Sequence, residues 1–463
     1  MAAPGVHDVK LGKRKSTVEV DSLSREELMC RVRQLESHVK QLQNIVIKND
    51  VSTSSTTAGR RKDYRAKERE FDFTRYNTRH VALKIMYFGC DYLGYASQEE
   101  TMNTIEQTVL DALKKTKLME NRETANYERC GRTDKGVSAF GQVISLDLRT
   151  NLLSGVGVKV REGGTAAERS GDKTTEVPYC SILNRNLPPE IRVLAWAPVN
   201  TEFSSRFNCR RRTYKYFFPK ANLDLDLMRQ AAQKLVGEHD FRNFCKMNVK
   251  DGVIQFKRRI LSVDISVVTE EEEDGYNMCI LTVVGTAFLY HQIRYIVSVL
   301  FYVGKGLEQP EIVDELLNVE KNPRKPQYIL AADFPLCLFD AEFEDDLEWI
   351  YEADWHEHNI KTLQRLWAEH SIKAHMLKKM LESLDKAKVE TECDIAPWSD
   401  LSPPIQHQST WIASDGQKVH KPLLNRQLGP SLEEKIENLA KKRKLDPSNE
   451  EEGEDKVEDL AGE

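Results

Sequence analysis

The stretch CGRTDKGVSAFGQV, residues 130–143, places the carboxylate of Asp134 between Arg132 and Lys135 in a segment punctuated by glycine. The sequences on either side, ANYERCGR and QVISLDL, have strand-like patterns, and the second alternates aliphatic and polar residues. The motif is therefore predicted to form a loop between two strands. Taken alone, this loop slightly favours a structural turn over a catalytic carboxylate.

The composition is that of a globular protein with charged ends. The chain has 463 residues, of which 40% are hydrophobic and 30% charged, enough for one large core or two adjoining cores. No apolar run approaches the roughly 20 residues of a membrane span, and the N-terminus lacks the apolar segment of a secretory signal. The nine cysteines are scattered singly, which argues against disulfides and a structural zinc site. We therefore expect no membrane association, a location in the cytosol or nucleus, and reduced thiols.

The N-terminal region carries a heptad repeat. Residues 1–22 are predicted to be disordered, and residues 23–50 are predicted to form a coiled-coil helix. Leucines and valines alternate at its two core positions: Leu28, Val32, Leu35, Val39, Leu42 and Val46. This pattern favours two parallel helices, so we expect a homodimer through this segment. The alternative is a single helix lying on the main domain. Residues 51–77 are predicted to form a basic linker.

The central part of the chain shows mixed secondary structure. From residue 78 to residue 343, strand and helix patterns follow one another without a regular βαβ cadence, which predicts an α+β fold with a largely antiparallel sheet. Residues 150–177 are rich in glycine and charge and are expected to form a mobile insertion.

The C-terminal part changes character. Residues 344–445 are predicted to form a helical extension, with a capping box at Ser431 and Glu434, and residues 446–463 an acidic disordered tail. The histidines of the extension are interpreted as solvated, because their spacing does not group them for a metal. The basic KKRK, residues 441–444, is equally compatible with a nuclear-import signal and with the last turn of a helix.

An unusual arginine lies in the helical stretch FLYHQIRYIVSVLFYVGKG. His291, Arg294 and Ser298 fall on a stripe beside its apolar face. A partly buried guanidinium requires a carboxylate partner, and Asp134 is a candidate. Such a pair would hold the pKa of Asp134 down and keep the carboxylate ionised. The alternative is that Arg294 reaches water or meets a structural acid.

A third stretch, RFNCRRRTYKYFF, interleaves cations with aromatic rings. Its cations are Arg206, Arg210, Arg211, Arg212 and Lys215, and its rings include Tyr214, Tyr216 and Phe217. Cations that neutralise phosphates beside rings that stack on bases are typical of proteins that bind single-stranded or extruded nucleotides. A strand with one basic, exposed face explains the same residues, and these residues alone leave both interpretations open.

Together these stretches resemble the TruA-type tRNA pseudouridine synthases. The order ALKIMYFGCDYLGYASQ, CGRTDKGVSAFGQV, NRNLPPEI, RFNCRRRTYKYFF, GEHDFRNFCK, AFLYHQIRYIVSVLFYVGKG and FPLCLFD is similar to that family from about residue 79 to residue 343. The G-R-T-D-x-G-V core is its most specific part. The N-terminal heptads and the C-terminal helical region look most like the eukaryotic branch, which modifies uridines 38 and 39 in the anticodon stem-loop of tRNA.

The resemblance implies a pseudouridine synthase fold. Two ferredoxin-like halves, residues 78–205 and 206–343, would share a mixed, mostly antiparallel central sheet. Asp134 would be the catalytic aspartate, with Arg294 as its partner, and Arg132 would help to extrude the target nucleotide. Tyr214 would stack on the flipped uracil and take part in proton transfer. The cations Arg206, Arg210, Arg211, Arg212 and Lys215 are assigned to RNA binding.

Four positions depart from many bacterial members of that family. Tyr95 and Ala96 stand in place of Trp and Gln, Ser138 in place of His, and Thr213 in place of Arg. These departures concern substrate contacts more than the chemistry.

The implied reaction breaks the N1–C1′ bond of uridine and joins C5 to C1′, which requires a carboxylate and a closed pocket but no metal and no redox cofactor. Attack of Asp134 on C1′, attack on C6 of the uracil, and elimination to a glycal are all compatible with these residues. The implied partner is tRNA, and the implied location is the nucleus and cytoplasm. A catalytically silent RNA-binding protein of the same fold is the rival interpretation.

Overall fold

The computed structural model describes residues 71–249, 252, 254–268, 277–390, 395–397 and 420–444. The predicted disordered N-terminus, the coiled-coil helix, most of the linker and the acidic tail lie outside these residues. Those interpretations therefore stay predictions.

The first half of the central domain is a ferredoxin-like unit. Its elements are β1 (Asn77–Tyr87), α1 (Ile105–Lys115), β2 (Glu128–Arg129), β3 (Ser138–Thr150), β4 (Val158–Lys159), α2 (Tyr179–Asn184) and β5 (Ile191–Pro198). β1 pairs antiparallel with both β3 and β5, and β2 pairs antiparallel with β3. The order β5-β1-β3-β2, with α1 before β2 and α2 before β5, is the βαββαβ arrangement implied by the resemblance.

Local sequence explains why these elements form. The run from Val81 to Ile85 includes side chains that are buried on both faces of β1, which accounts for its nearly continuous apolar sequence. α1 begins after Thr104, whose hydroxyl accepts a hydrogen bond from the backbone N–H of Gln107. Val109 and Leu113 then fall on one face of α1 and are fully buried.

The second half repeats the arrangement. Its elements are β6 (Cys209–Pro219), α3 (Leu225–Gln233), β7 (Gly237–Asp240), β8 (Lys257–Val267), β9 (Met278–Gly285), α4 (Gln292–Gly304), α5 (Ile312–Leu317) and β10 (Leu336–Phe343). The strands lie in the order β10-β6-β9-β8, and β7 adds a further strand at the edge beside β8. All of these neighbours are antiparallel. The two halves are thus topological repeats of each other.

A short parallel pairing joins the two halves into one sheet. β10 pairs with β3 at Cys337 opposite Ser138 and Leu338 opposite Ala139. The two backbones approach so closely that a Cβ on Gly141 would lie 2.6 Å from the Cα of Asp340. The resulting ten-stranded sheet confirms the predicted α+β class and the mixed, mostly antiparallel pairing. Because β3 begins directly after residues 130–137, this junction also fixes one end of the Asp134 loop.

The segment expected to be a mobile insertion packs against β1. Its short strand β4 pairs with Thr78 and Arg79. Glu176 accepts hydrogen bonds from Arg79 at 2.8 Å and from the hydroxyl of Thr150 at 2.7 Å. These contacts hold the two ends of residues 150–177 together and attach the segment to β1. The glycine content of the segment did not indicate such contacts.

The described part of the C-terminal extension contains two α-helices and two short strands. It contains α6 (Ala353–Asp385), the strands β11 (Lys388–Glu390) and β12 (Ile395–Pro397), and α7 (Leu432–Lys444). The capping box is present: the N–H of Ser431 donates to Glu434 at 3.0 Å, and the N–H of Glu434 donates to the hydroxyl of Ser431 at 3.2 Å. α7 reaches the central domain, since Lys435 donates to the carbonyl of Met247.

The described residues contain neither a membrane-spanning helix nor a cluster of metal-binding side chains. No helix among them is both long enough and apolar enough to cross a membrane. In the same part of the chain, no group of three or more His, Cys, Asp or Glu side chains could hold a metal ion.

Candidate active site

Asp134 lies on the loop between β2 and β3, at the junction of the two halves. The backbone of this loop is tied to the segment after β1: the N–H of Tyr95 donates to Thr133 at 3.1 Å and the N–H of Gly136 donates to Tyr92 at 3.3 Å. Gly136 has a φ of 78°, a left-handed conformation that favours glycine. The loop is therefore held in one shape with Asp134 at its centre.

Arg212 binds the start of the same loop from β6. Its Nε donates to the carbonyl of Cys130 at 2.8 Å, and its Nη1 donates to the carbonyl of Thr286 at 2.6 Å. Nη2 also donates to the carbonyl of Arg206 at 3.4 Å. The guanidinium that was assigned to RNA phosphates therefore bonds to backbone carbonyls and connects the Asp134 loop to the second half.

The Asp134 carboxylate is largely buried. Its side chain is 19% exposed, and its Oδ2 lies 3.6 Å from Nε2 of His291. The pKa of Asp134 is raised to about 6. Burial is the largest cause; the charge of Arg294 opposes it, Asp333 adds to it, and Lys246 opposes it. The expectation that a cation would hold this pKa down is wrong, because the loss of hydration outweighs the two cations.

Arg294 projects from the first turn of α4 and is buried. Its Nε donates to the carbonyl of Ala331 at 2.7 Å, and its Nη2 lies 3.7 Å from Oδ2 of Asp333. The expected ion pair with Asp134 is thus replaced by one with Asp333. Arg294 still acts on Asp134 through its charge, which the pKa of that carboxyl reflects.

Tyr214 reaches the loop from β6. Its side chain is buried and packs edge-on against Phe288, with 5.1 Å between the ring centroids. A Cβ on Gly131 would lie 4.0 Å from the Tyr214 hydroxyl, which places this hydroxyl beside the loop. Burial raises the pKa of Tyr214, so the phenol is neutral at pH 7. Asp134, Tyr214 and Arg294, predicted from three distant stretches, therefore meet at one junction.

The other predicted cations do not all lie on the face of the sheet that carries Tyr214. Arg132 and Arg206 are exposed. Successive side chains along a strand point to opposite faces, and Arg211 and Lys215 lie on the face opposite Tyr214. Lys215 places its Nζ 3.6 Å from the ring centroid of Phe339.

Two of these arginines have acidic neighbours on β10 or directly after it. Arg211 forms an ion pair with Glu342, and Nε of Arg210 lies 4.0 Å from Glu344. The structure therefore does not bring Arg211 and Lys215 to the Asp134 pocket, although their residue types suit RNA.

Three residues of the pocket had no role in the sequence interpretation: His291, Asp333 and Lys246. His291 was noticed beside Arg294, and Lys246 ends the GEHDFRNFCK motif. Asp333 directly precedes FPLCLFD. The signal for all three was proximity to a matched motif, but sequence does not show which of these side chains face Asp134.

Comparison with known proteins identifies close relatives. A family model described as tRNA pseudouridine synthase matches residues 231–344. The tRNA pseudouridine(38/39) synthase of Bos taurus is 47% identical over 444 residues, covering 92% of this chain and 90% of the relative. The Homo sapiens protein of the same name is 46% identical over 443 residues, with the same coverage. The Saccharomyces cerevisiae protein of that name is 39% identical over 351 residues, 73% of each chain.

The raised pKa of Asp134 predicts a pH-dependent stability effect. A folded-state pKa of about 6 against an ordinary value of 3.8 means that the contribution to stability is present below pH 3.8 and is lost as the pH rises through 6. Asp134→Asn, which mimics the protonated form, should therefore increase the free energy of unfolding at pH 7 by about 2–3 kcal/mol. Urea denaturation at pH 7 and below pH 4 measures this difference.

The control is Asp346→Asn, which removes an exposed carboxylate and should change the free energy of unfolding by less than about 0.5 kcal/mol. If Asp134→Asn is no more stable than the wild type at pH 7, the carboxylate is not strained by burial.

Proposed function

The chain belongs to the tRNA pseudouridine synthase family and isomerises uridine to pseudouridine in tRNA, and from this premise we propose that Asp134 is its catalytic carboxylate and that its targets are uridines 38 and 39. The observation that carries the assignment of Asp134 is the meeting of Asp134, Tyr214 and Arg294. Each comes from a different element, and the site requires both halves of the domain. A structural turn would not need such an assembly.

The environment of Asp134 suits an attacking carboxylate. With a pKa of about 6, the group is largely ionised at pH 7 yet more basic than an exposed aspartate. In the reaction the N1–C1′ bond of uridine breaks, the uracil turns, and a C5–C1′ bond forms. The C5 proton leaves and N1 ends with a proton, so the product is an isomer and no external oxidant or reductant is consumed. The reaction requires that the detached base stay in the site through these steps.

Tyr214 and the cations have distinct roles in this proposal. The neutral, buried ring of Tyr214 lies beside the Asp134 loop and supplies a surface on which the extruded uracil stacks. Arg132 belongs to the Asp134 loop, and the carbonyl of Arg206 accepts a hydrogen bond from Arg212, which binds that loop. Both arginines are exposed and are the cations best placed to contact the backbone of the flipped nucleotide. Arg212 instead positions the loop. Arg210, Arg211 and Lys215 serve tRNA at a distance from the reacting base.

The targets are proposed on the similarity to relatives. The mammalian and yeast proteins named tRNA pseudouridine(38/39) synthase match most of the chain. A silent RNA-binding protein is not favoured, because Asp134, Tyr214 and Arg294 are all in place. Mapping of pseudouridine in tRNA from cells with and without the protein tests the positions. Unchanged pseudouridine at 38 and 39 would contradict this part of the proposal.

Asp134→Asn should abolish turnover and leave tRNA binding within about threefold of the wild type, because phosphate contacts dominate the affinity. The measurement uses tRNA carrying tritium at uracil C5 and follows release of tritium to water, with filter binding for affinity. Asp346→Asn is the matched control and should retain full activity. Continued tritium release by Asp134→Asn would show that another group performs the chemistry.

We also propose that the protein is a homodimer. The heptads of residues 23–50 support this assignment, and so does α6. Of the 33 residues of α6, only Asn359 and Thr362 are buried, while Trp367 is 72% exposed and Leu384 is 64% exposed. Large apolar side chains on a long helix are typical of a protein interface.

Removing residues 1–50 should halve the mass measured by light scattering if the heptads provide the dimer contact. The matched variant keeps these residues and replaces Trp367 and Leu384 with Glu, which tests α6 separately. A dimeric mass for the truncated protein would contradict dimerisation through the heptads.

We further propose that the protein acts in both the nucleus and the cytoplasm. The basic residues 441–444 at the end of α7 support nuclear entry. A fluorescent fusion in which these four residues are replaced by alanine should be lost from the nucleus, and an unchanged distribution would contradict their role in import.

A further inference from the structure

His291 occupies an unusual backbone position next to the Asp134 pocket. It immediately precedes α4 and has φ 63° and ψ 10°, the left-handed region. A side chain other than glycine costs roughly 1–2 kcal/mol there, and Asn is the usual exception. The His291 side chain makes no helix-capping hydrogen bond that would offset this cost. Strained residues of this kind persist where the surrounding structure requires them, often at functional sites.

The surroundings fix the position of the His291 ring. The ring lies 3.8 Å from the ring of Tyr290, centroid to centroid. The carbonyl of Tyr290 accepts a hydrogen bond from the N–H of Lys246 at 3.0 Å, and the carbonyl of His291 accepts one from the N–H of Tyr295 at 3.1 Å. The backbone at the strained residue is thus held by one bond to Lys246 and one to the first turn of α4. Nε2 of His291 lies on the side of the ring that faces Asp134.

Burial and nearby cations keep the imidazole neutral. Burial, followed by the charges of Arg294, Lys246 and Lys325, lowers the pKa of His291 to about 4. The acidic groups in the pocket are Asp134 and Asp333. A neutral imidazole can donate one hydrogen bond to a carboxylate without adding a positive charge. An imidazolium at the same place would instead lower the pKa of Asp134 and make it a weaker nucleophile.

We propose that His291 is a positioning residue, whose neutral imidazole holds Oδ2 of Asp134 through Nε2 and so directs the other carboxylate oxygen toward the reacting uridine. The separation of 3.6 Å is slightly longer than a hydrogen bond. Such contacts are often long in the substrate-free enzyme and shorten when the substrate binds. This inference rests on the proposed role of Asp134 as the attacking group. The left-handed backbone is the cost of placing the ring at that point.

The test uses His291→Gly and His291→Asn in the full-length protein, because both residues tolerate the left-handed conformation. With tRNA carrying tritium at uracil C5, the single-turnover rate constant at saturating enzyme should fall about 10–100-fold in each variant. The affinity for tRNA should stay within about twofold. Added imidazole should restore part of the rate of His291→Gly. The acidic limb of the pH–rate profile should move to higher pH, because the ionised carboxylate loses a donor.

Lys117 provides the matched control. It has φ 54° and is exposed at the end of α1, outside the pocket. Lys117→Gly and Lys117→Asn remove the same kind of backbone strain and should leave the rate, its pH profile and its response to imidazole unchanged.

Several outcomes would overturn the inference. A rate within twofold of the wild type for both His291 variants would do so, and so would a loss confined to tRNA affinity. A reduced rate without imidazole rescue and without a shift of the acidic limb would assign His291 a purely structural role. An inactive Asp134→Asn beside fully active His291 variants removes this inference alone, whereas an active Asp134→Asn removes the proposed role of Asp134 as well.

Discussion

The parallel pairing of β3 with β10 joins the two halves and thereby positions the Asp134 loop. Each half forms its own antiparallel sheet, and this pairing joins the two sheets into one. Gly141 permits the approach of the two strands, since any Cβ there would overlap Asp340. The Asp134 loop ends where β3 begins. The loop is therefore held at the junction of the two halves, where Tyr214 of β6 and Arg294 of α4 also lie.

The electrostatics of the site follow from that placement. A loop at a junction between two packed units is shielded from water, and the lost hydration of Asp134 exceeds the attraction of Arg294 and Lys246. Asp333 contributes in two ways, because it engages Arg294 directly and repels the charge of Asp134. The protein thus keeps a carboxylate with a raised pKa at this junction at the expense of stability.

The sequence motifs indicated Asp134, Tyr214 and Arg294 as candidate site residues, but they did not indicate which side chains contact one another. The α+β class followed from strand and helix periodicity, and the resemblance supplied the two repeats. The partner of Arg294 could not be predicted, because Asp333 and Asp134 are both close and only the folded backbone decides between them. Arg212 was predicted to bind RNA because it lies in a run of cations. Its actual partners, the carbonyls of Cys130 and Thr286, are distant in sequence and could not be identified from it. The opposite orientation of Lys215 and Tyr214, by contrast, could have been predicted from strand alternation alone.

The junction between the two halves raises the pKa of Asp134 while leaving the carboxylate largely ionised at neutral pH. The most direct measurement is a pH titration of the side-chain carboxyl carbon of Asp134 by NMR, in protein labelled with carbon-13 at its aspartates. The signal is assigned by its absence in Asp134→Asn. We expect a midpoint near pH 6. A midpoint at or below the ordinary value of 3.8 would show instead that the attraction of the cations outweighs the loss of hydration.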